Sequence, residues 1–122
     1  TPKTVISRIR TLEKKKVIIG YKTMFDLEKL GYQYFKVHFH LHNTTKEKLS
    51  QMRSFIKQHP NIVYNNEVLG GDDIEIELQV KDIQGLRSII EEIRAQFGEM
   101  ISEYKTMVFY KEHKYLYLPV KL

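Results

Sequence analysis

The sequence predicts an α+β fold in which two βαβ units share one antiparallel sheet, with both helices on one face. Strict alternation of apolar and polar residues over 34–42 and 74–80 is typical of half-buried strands. Apolar residues at helical spacing over 44–59 and 82–98 predict two helices. With further strands at 62–69 and 100–110, the order is that of the split ferredoxin-like sandwich, with strand order 4-1-3-2.

Length and composition exclude several classes of protein. The chain has 122 residues, is 42% hydrophobic and 29% charged, and contains no cysteine. The length suits one domain, or one domain with a small appendage, and the lack of cysteine excludes disulfides, thiol catalysis and cysteine-based zinc sites. No apolar run approaches the roughly 18 residues of a membrane span, and no signal peptide is recognisable, so we expect a cytoplasmic protein whose Thr1-Pro2 start is a trimmed end.

The net charge of +5 lies entirely at the N-terminus. Residues 1–16 hold six basic side chains against Glu13 alone, and the remaining 14 basic and 14 acidic residues cancel. A localised basic segment indicates a polyanionic partner such as nucleic acid. The alternative is a solubilising terminus.

The basic segment itself predicts a helix. Thr1 can serve as its N-cap and Pro2 as its first residue. An apolar stripe follows at helical spacing, formed by Val5, Ile6, Ile9 and Leu12. The opposite face carries the candidate DNA-binding residues Lys3, Ser7, Arg10, Thr11 and Lys14, flanked by Thr4 and Arg8. Such a helix can lie in a major groove, but its stripe requires partner helices.

The β-branched run and the glycine in Val17–Met24 predict a strand or wing, and Phe25–Gly31 predicts a short connection. We therefore expect two modules, residues 1–31 and residues 32–122.

The predicted core is the helix-facing side of two strands. It comprises Phe35, Val37, Phe39, Leu41, Ile74, Ile76, Leu78 and Val80. The first helix begins near Thr44-Thr45 and the second at the cap Asp82, and they end near His59-Pro60 and Gly98. Their stripes are Leu49, Met52, Phe55 and Ile56 in the first helix, and Leu86, Ile89, Ile90, Ile93 and Phe97 in the second. A fifth strand over 114–120 is limited by Pro119.

The other face of the sheet is polar. It should place His38 and His40 near Glu75 and Glu77, with Lys36 and Tyr34 at the end. We infer a homodimer packed through this face and the C-terminal strands. Histidines 38, 40 and 42 also allow a metal hypothesis, but alternate side chains on a strand are about 7 Å apart, which favours surface histidines.

Two blocks of sequence resemble the Lrp/AsnC (feast/famine) transcription regulators. Residues 1–13, which contain Arg8-Ile9 and Leu12-Glu13, followed by Val17-Ile18-Ile19-Gly20-Tyr21, resemble the recognition helix and wing of that family. Residues 69–74, Leu-Gly-Gly-Asp-Asp-Ile, resemble its turn between the second and third strands.

The resemblance implies a winged helix-turn-helix joined to a ferredoxin-like domain that forms dimers or larger oligomers and binds an amino acid or related metabolite between subunits. It implies effector contacts from Gly70, Gly71, Asp72 and Asp73, and from Thr106 on the fourth strand. An α-ammonium group needs a carboxylate, and an α-carboxylate can bind the N–H groups of a glycine-rich turn. No cofactor is implied.

The chain departs from the family pattern in two respects. The helices before the recognition helix are not in this sequence, so we expect weak DNA binding by this chain alone. Asp72 replaces a frequently aromatic residue, which favours a cationic ligand such as lysine or arginine, or else argues against a standard amino-acid effector. The alternative is a plain hairpin in which the aspartates cap local N–H groups.

Two other functional classes remain open. One is a stand-alone metabolite sensor or assembly module. The other is an enzyme like the Lrp-like haem-pathway decarboxylases, which use a His-Asn-Tyr type of stretch where this chain has Val63-Tyr64-Asn65-Asn66-Glu67. The missing histidine, phosphate loop and nucleophile favour a protein that is not an enzyme.

Overall fold

A computed structural model of the chain describes residues 1–71, 73–111 and 113. The helices are α1 (Pro2–Lys14), α2 (Lys46–Gln58) and α3 (Ile83–Phe97), and the strands are β1 (Gln33–Leu41), β2 (Ile62–Glu67), β3 (Ile74–Val80) and β4 (Ile101–Phe109). A short 3₁₀ helix, Gly98–Met100, joins α3 to β4. The fifth strand expected over 114–120 lies outside the described residues. None of the described helices is long and apolar enough to cross a membrane.

The four strands form one antiparallel sheet in the order β2-β3-β1-β4, which confirms the predicted order. In the central pair, Phe35 lies opposite Leu78 and Val37 lies opposite Ile76. Directly opposite residues share a face of the sheet, so the apolar sets of β1 and β3 meet on the same side.

The core lies between that side of the sheet and the helices α2 and α3. All of the predicted strand residues are buried except Leu41, which is half-buried. The stripe of α3 is buried in full, whereas α2 buries only Met52 and Ile56 completely. The α+β sandwich is therefore confirmed, with α3 as the more deeply packed helix.

Both of these helices begin where the sequence predicts. The Thr45 hydroxyl accepts a hydrogen bond from Lys48 N at 3.2 Å, and Asp82 Oδ1 accepts one from Gly85 N at 2.8 Å. Gly98 is the C-cap residue of α3 but has φ −56° and ψ −32°, in the right-handed region. The chain continues there into the 3₁₀ helix instead of reversing, so no left-handed residue is needed.

The N-terminal segment agrees with the sequence only in its helix. Thr1 Oγ1 accepts a hydrogen bond from Thr4 N at 3.4 Å and caps α1. The strand or wing expected over Val17–Met24 is wrong for this structure, because those residues pair with no described strand. Val17 N and Ile18 N instead donate to Leu12 O, and Tyr21 Oη donates to Glu13 at 2.6 Å. This segment therefore folds back on the end of α1.

Two isoleucines of α3 provide a matched test of the core. Ile93 is completely buried, whereas Ile83 is 58% exposed. We expect Ile93→Ala to lower the free energy of unfolding by about 2–5 kcal/mol through lost burial and a cavity. Ile83→Ala should change it by about 0.5 kcal/mol or less. Urea unfolding measures both, and equal losses would contradict this packing.

Candidate functional site

The turn between β2 and β3 requires one of its two glycines. Gly70 has φ +79°, a left-handed conformation that side chains with a Cβ disfavour. Gly71 has no positive φ, and a Cβ there would meet Val68 Cγ1 at an ordinary 3.6 Å. Of the two turn glycines, only Gly70 therefore adopts a conformation that favours glycine. Asp72 lies outside the described residues.

Asp73 joins this turn to the end of β1. Its backbone N donates to Phe39 O at 3.0 Å, and its Oδ2 accepts a hydrogen bond from Leu41 N at 2.7 Å. His40 Nδ1 lies 3.4 Å from the same oxygen. The carboxylate thus continues the β1–β3 pairing by one further bond. This is the kind of contact that the hairpin alternative predicts, although the N–H belongs to the neighbouring strand.

A cleft of about 410 Å³ lies beside the turn, and we call it the turn cleft. Its apolar lining is Leu41, Leu49, Val68, Leu69 and Ile74, and its polar lining is Thr44, Arg53, Glu67 and Asp73. Arg53 Nε lies 2.5 Å from Glu67 Oε1, which links α2 to the end of β2. Sequence reasoning missed Arg53 and Glu67 because only the packing of α2 on β2 brings them together.

Thr106 does not lie with the turn in a single chain. It is on β4 opposite Val37, whereas the turn adjoins the far end of β3. Since β1 separates β4 from β3, two strand spacings place the two regions roughly 10 Å apart or more. Thr106 is also absent from the lining of the turn cleft.

The basic and hydroxyl residues of α1 share one side as the sequence predicts, but Ile6, predicted on the opposite apolar stripe, lies with them. Lys3, Ser7, Arg10, Thr11 and Lys14 lie along one side of the helix together with Ile6. Thr4 and Arg8 are also exposed, with Thr4 Oγ1 2.9 Å from Thr1 Oγ1 at the cap. The Thr11 hydroxyl donates to Ser7 O at 2.9 Å. Of the apolar stripe, Val5 and Ile6 are about half exposed, at 56% and 49%. α1 therefore presents both a basic side and an uncovered apolar side.

A cluster of charged and polar side chains covers the sheet face opposite the helices, and we call it the sheet cluster. Its members are Tyr34, Lys36, His38, Glu75 and Glu77. Lys36 Nζ lies 2.9 Å from Glu75 Oε2 and 3.6 Å from Glu77 Oε1, and Tyr34 Oη donates to Glu77. His38 Nε2 lies 3.7 Å from Glu75 Oε2. Lys36, His38, Glu75 and Glu77 are only 15–22% exposed.

The sheet cluster corrects one expectation. His38 lies beside Glu75 as predicted, but His40 is next to Asp73 instead of Glu75 or Glu77. The reason is the register, which places His38 opposite Glu75 and leaves His40 beyond the last paired residue of β3. Lys36, predicted at the end of the polar face, lies instead between the two glutamates.

Among the described residues, no group of three or more histidine and carboxylate side chains is placed to hold a metal ion. His42 Nδ1 lies 3.0 Å from the side-chain Nδ2 of Asn43.

Residues 35–118 match the family described as the Lrp/AsnC ligand binding domain. The chain belongs to this family. It is also similar to the HTH-type transcriptional regulator FL11 of Pyrococcus horikoshii, with 29% identity over 111 residues that cover 91% of this chain and 71% of the relative.

Two solved structures show the same fold. A transcriptional regulator of Neisseria meningitidis in complex with L-methionine superposes with a TM-score of 0.82 at 13% identity, over 98% of this chain and 77% of that chain. AsnC of E. coli superposes with a TM-score of 0.77 at 16% identity, over 97% and 78% of the two chains. At these identities the likeness supports the fold alone.

The Lrp/AsnC family match covers the turn, the turn cleft and all of the sheet cluster except Tyr34, but it begins after α1. The assignment of the α1 residues to DNA binding therefore rests on their own pattern and on the resemblance of residues 1–21, since the family match does not include them.

Within the Lrp/AsnC domain, Lys36 is held as a cation. Its hydrogen bond to Glu75 raises the pKa of Lys36 above the ordinary value, and the charges of Glu75 and Glu77 act in the same direction against the effect of burial. A raised pKa in the folded state stabilises the fold fully below the unfolded pKa of about 10.4. That stabilisation is lost as the pH rises through the higher folded pKa.

Lys36→Met should therefore change both the stability and its dependence on pH. At pH 8 we expect a loss of about 1–3 kcal/mol, because Glu75 and Glu77 lose a charged hydrogen-bond donor. Between pH 9 and 12 the stability of the wild type should fall more than that of Lys36→Met. Chemical unfolding across this range measures the difference.

The matched control is Lys105→Met on the same sheet face, where the lysine is 59% exposed and 3.7 Å from Glu103. We expect a change below about 0.5 kcal/mol there, because exposed ion pairs contribute little. If the free energy of unfolding varied with pH in the same way for the wild type and Lys36→Met, the sheet cluster would not favour the charged form of Lys36.

Proposed function

We propose that this chain acts as part of an Lrp/AsnC-type transcriptional regulator, with α1 contacting double-stranded DNA and residues 32–122 sensing an amino acid or related metabolite. The turn cleft carries this proposal, because it combines an apolar lining with Arg53, Glu67 and Asp73 beside the turn that resembles the family's effector turn. The structure of the Neisseria relative in complex with L-methionine supports an effector of this class.

We propose the division between the two modules at residues 31 and 32. Gly31 has φ +75°, which allows a sharp change of chain direction there. Lys81 Nζ lies 2.6 Å from Leu30 O and 4.0 Å from the centre of the Tyr32 ring. The junction is thereby tied to the end of β3, which supports a boundary at this point.

The effector contacts that we propose are Gly70, Gly71, Asp72 and Asp73, with Thr106 supplied by another subunit. The separation of Thr106 from the turn within one chain supports a second subunit as its source. The adjacent carboxylates Asp72 and Asp73 favour lysine or arginine, and the effector binds without a cofactor.

The DNA contacts that we propose are Lys3, Thr4, Ser7, Arg8, Arg10, Thr11 and Lys14. Arginine and lysine reach guanine edges and phosphates, and hydroxyls serve either. The exposed stripe of Val5, Ile6 and Leu12 supports additional helices packing on α1, as an HTH unit requires.

We place the homodimer contact at β4 and the outer sheet face. Among the strands that the structure describes, β4 lies at an edge of the sheet, and it exposes Met107, Val108 and Phe109 by 42–62%. An edge with unpaired backbone groups and apolar side chains favours pairing with another chain.

We propose a cytoplasmic protein without enzymatic activity, since the relatives are transcriptional regulators. The alternative is a stand-alone metabolite sensor or assembly module, which the position of α1 outside the family match favours. DNA binding distinguishes the two.

Reversing the charge on the basic side of α1 should weaken DNA binding and its dependence on salt. The slope of log K against log salt concentration is negative, and each phosphate contact contributes about −0.9 to it. For the triple variant Lys3→Glu, Arg10→Glu and Lys14→Glu we therefore expect the magnitude of this slope to decrease by about 2.7. Fluorescence anisotropy with duplex DNA at several salt concentrations measures the slope.

The control is Lys46→Glu, Lys57→Glu and Arg87→Glu, three exposed positions on α2 and α3 with the same total change in charge. It should leave the slope close to that of the wild type. Equal losses in both triple variants would refute the assignment of α1 and leave a general charge effect.

Effector sensing can be tested by thermal unfolding with each of the twenty amino acids. At a concentration 100 times the Kd, a true ligand adds about 2.7 kcal/mol of stability and raises the Tm by several degrees. Asp73→Asn keeps an acceptor for Leu41 N but removes the charge, so it should reduce the shift. The exposed Asp26→Asn should not. No shift with any amino acid would contradict the sensing role.

A further inference from the structure

We propose that His38 makes the association of two copies of this chain through the outer sheet face depend on pH, so that the dimer becomes tighter as the pH falls from 7.5 to 5.5. The outer sheet face is the side opposite the helices, which carries the sheet cluster. This role of His38 rests on the homodimer contact proposed above and adds a control of its strength by protons.

The outer sheet face has an apolar end that favours association throughout this pH range. Tyr34 of β1 lies opposite Phe109 of β4, and their rings stack with centroids 4.7 Å apart. Met107 follows on the same face, and Met107 and Phe109 are 44% and 42% exposed. Covering these side chains removes apolar surface from water. This end therefore supplies an attraction that does not change when a histidine is protonated.

The sheet cluster beside the apolar end carries an excess of negative charge when its histidine is neutral. Glu75 and Glu77 contribute two negative charges and Lys36 contributes one positive charge. The sum is therefore −1 with His38 neutral and zero with His38 protonated. These four side chains are only 15–22% exposed, so water and salt screen their charges less than those of an open surface.

A homodimer sets this excess charge against itself. In a two-fold interface the same patch faces its own copy, so the charge of one sheet cluster meets the equal charge of the other. Like charges that are brought together in an interface disfavour association. One proton on each copy of His38 cancels the excess and removes this repulsion. Because histidine is the side chain that ordinarily changes charge between pH 5 and 8, association strengthens as the pH falls through that range.

Across the sheet, His38 faces one carboxylate and one lysine. On the β3 side its Nε2 lies 3.7 Å from Glu75 Oε2, and beyond Glu75 the facing residue of β2 is the uncharged Asn66. On the β4 side it lies opposite Lys105, which is 59% exposed and 3.7 Å from Glu103. The charges of that exposed pair cancel. Among the described residues, the charge that His38 changes is therefore the sum within the sheet cluster.

Along β1, the neighbours of His38 on the same face are Lys36 and His40. Lys36 lies 2.9 Å from Glu75 and is already counted in the sheet cluster. His40 is a second titratable group, but it is 49% exposed and lies 3.4 Å from Asp73, which is 51% exposed. Since water screens that exposed pair more strongly, His38 has the larger effect on association.

Sedimentation equilibrium of the chain at fixed ionic strength tests the pH dependence. We expect the dimer dissociation constant to be about tenfold lower at pH 5.5 than at pH 7.5, which corresponds to about 1.4 kcal/mol of relieved repulsion. His38→Gln keeps a polar side chain that cannot gain a charge, so its two constants should agree within about twofold. If the dimer is too tight to dissociate, exchange of subunits between labelled and unlabelled copies measures its lifetime, which should be longer at pH 5.5.

Two further variants separate the sheet cluster from other titratable groups. His42→Gln changes a histidine that lies just beyond β1, beside Asn43, and should keep the wild-type pH dependence. Glu77→Gln keeps an acceptor for Tyr34 Oη but removes one negative charge, so the cluster sums to zero with neutral His38 and to +1 with protonated His38. Its dimer should therefore become weaker as the pH falls. Circular dichroism at each pH checks that every variant is folded.

The outcomes separate this role of His38 from the homodimer itself. A dimer with the same dissociation constant at pH 5.5 and 7.5 overturns the role of His38 and leaves the homodimer contact in place. A chain that is monomeric at both pH values and at every concentration measured overturns both. A pH dependence that persists in His38→Gln and is lost in His40→Gln places the titrating group at the end of the strand and likewise overturns the role of His38.

Discussion

The pairing of β1 with β3 is the constraint on which the rest of the structure depends. Because side chains alternate on a strand, the register that sets Val37 opposite Ile76 also sets Lys36 opposite Glu77. A slip of one residue would send the apolar set to the outer face and the charged set into the core. One register thus determines the core, the sheet cluster and the position at which β3 ends.

The sheet cluster contributes more to the alignment of β1 with β3 than its small net contribution to folding free energy suggests. Lys36, Glu75 and Glu77 are each mostly buried, so desolvation offsets much of their attraction. In a shifted register, however, Lys36 would lose both glutamates and the glutamates their cation. The cost of such unpaired charges disfavours misregistered pairing, in the same direction as the apolar face does. The two faces of the sheet therefore support the same alignment.

The sequence predicts the central elements well because their signals are local. Alternation in 74–80 and the five-residue stripe of α3 each require one face to be buried, and the structure buries those faces. The wing over Val17–Met24 fails for the opposite reason. A β-branched run favours extended backbone, but a strand also requires a neighbouring strand to pair with. The β-branched residues alone do not specify such a neighbour.

The site was less accessible to sequence reasoning than the fold. The glycine-rich turn is visible as a motif, but the Arg53–Glu67 pair joins residues 14 positions apart on a helix and a strand. Their contact depends on how α2 crosses the end of β2, which no local pattern encodes. His40 shows the same limit, since its partner Asp73 follows from where β3 stops and not from alternation.

Asp73 shows why a motif residue needs its geometry before it is given a role. Its Oδ2 already accepts the Leu41 N–H at 2.7 Å, which makes it part of the sheet whether or not a ligand is bound. Removing the side chain would leave Leu41 N without this acceptor and loosen the turn, so loss of binding in an alanine variant could arise from either cause. Asparagine retains the acceptor and removes only the charge. The difference between those two variants, and not either one alone, therefore separates the structural contribution of Asp73 from its electrostatic one.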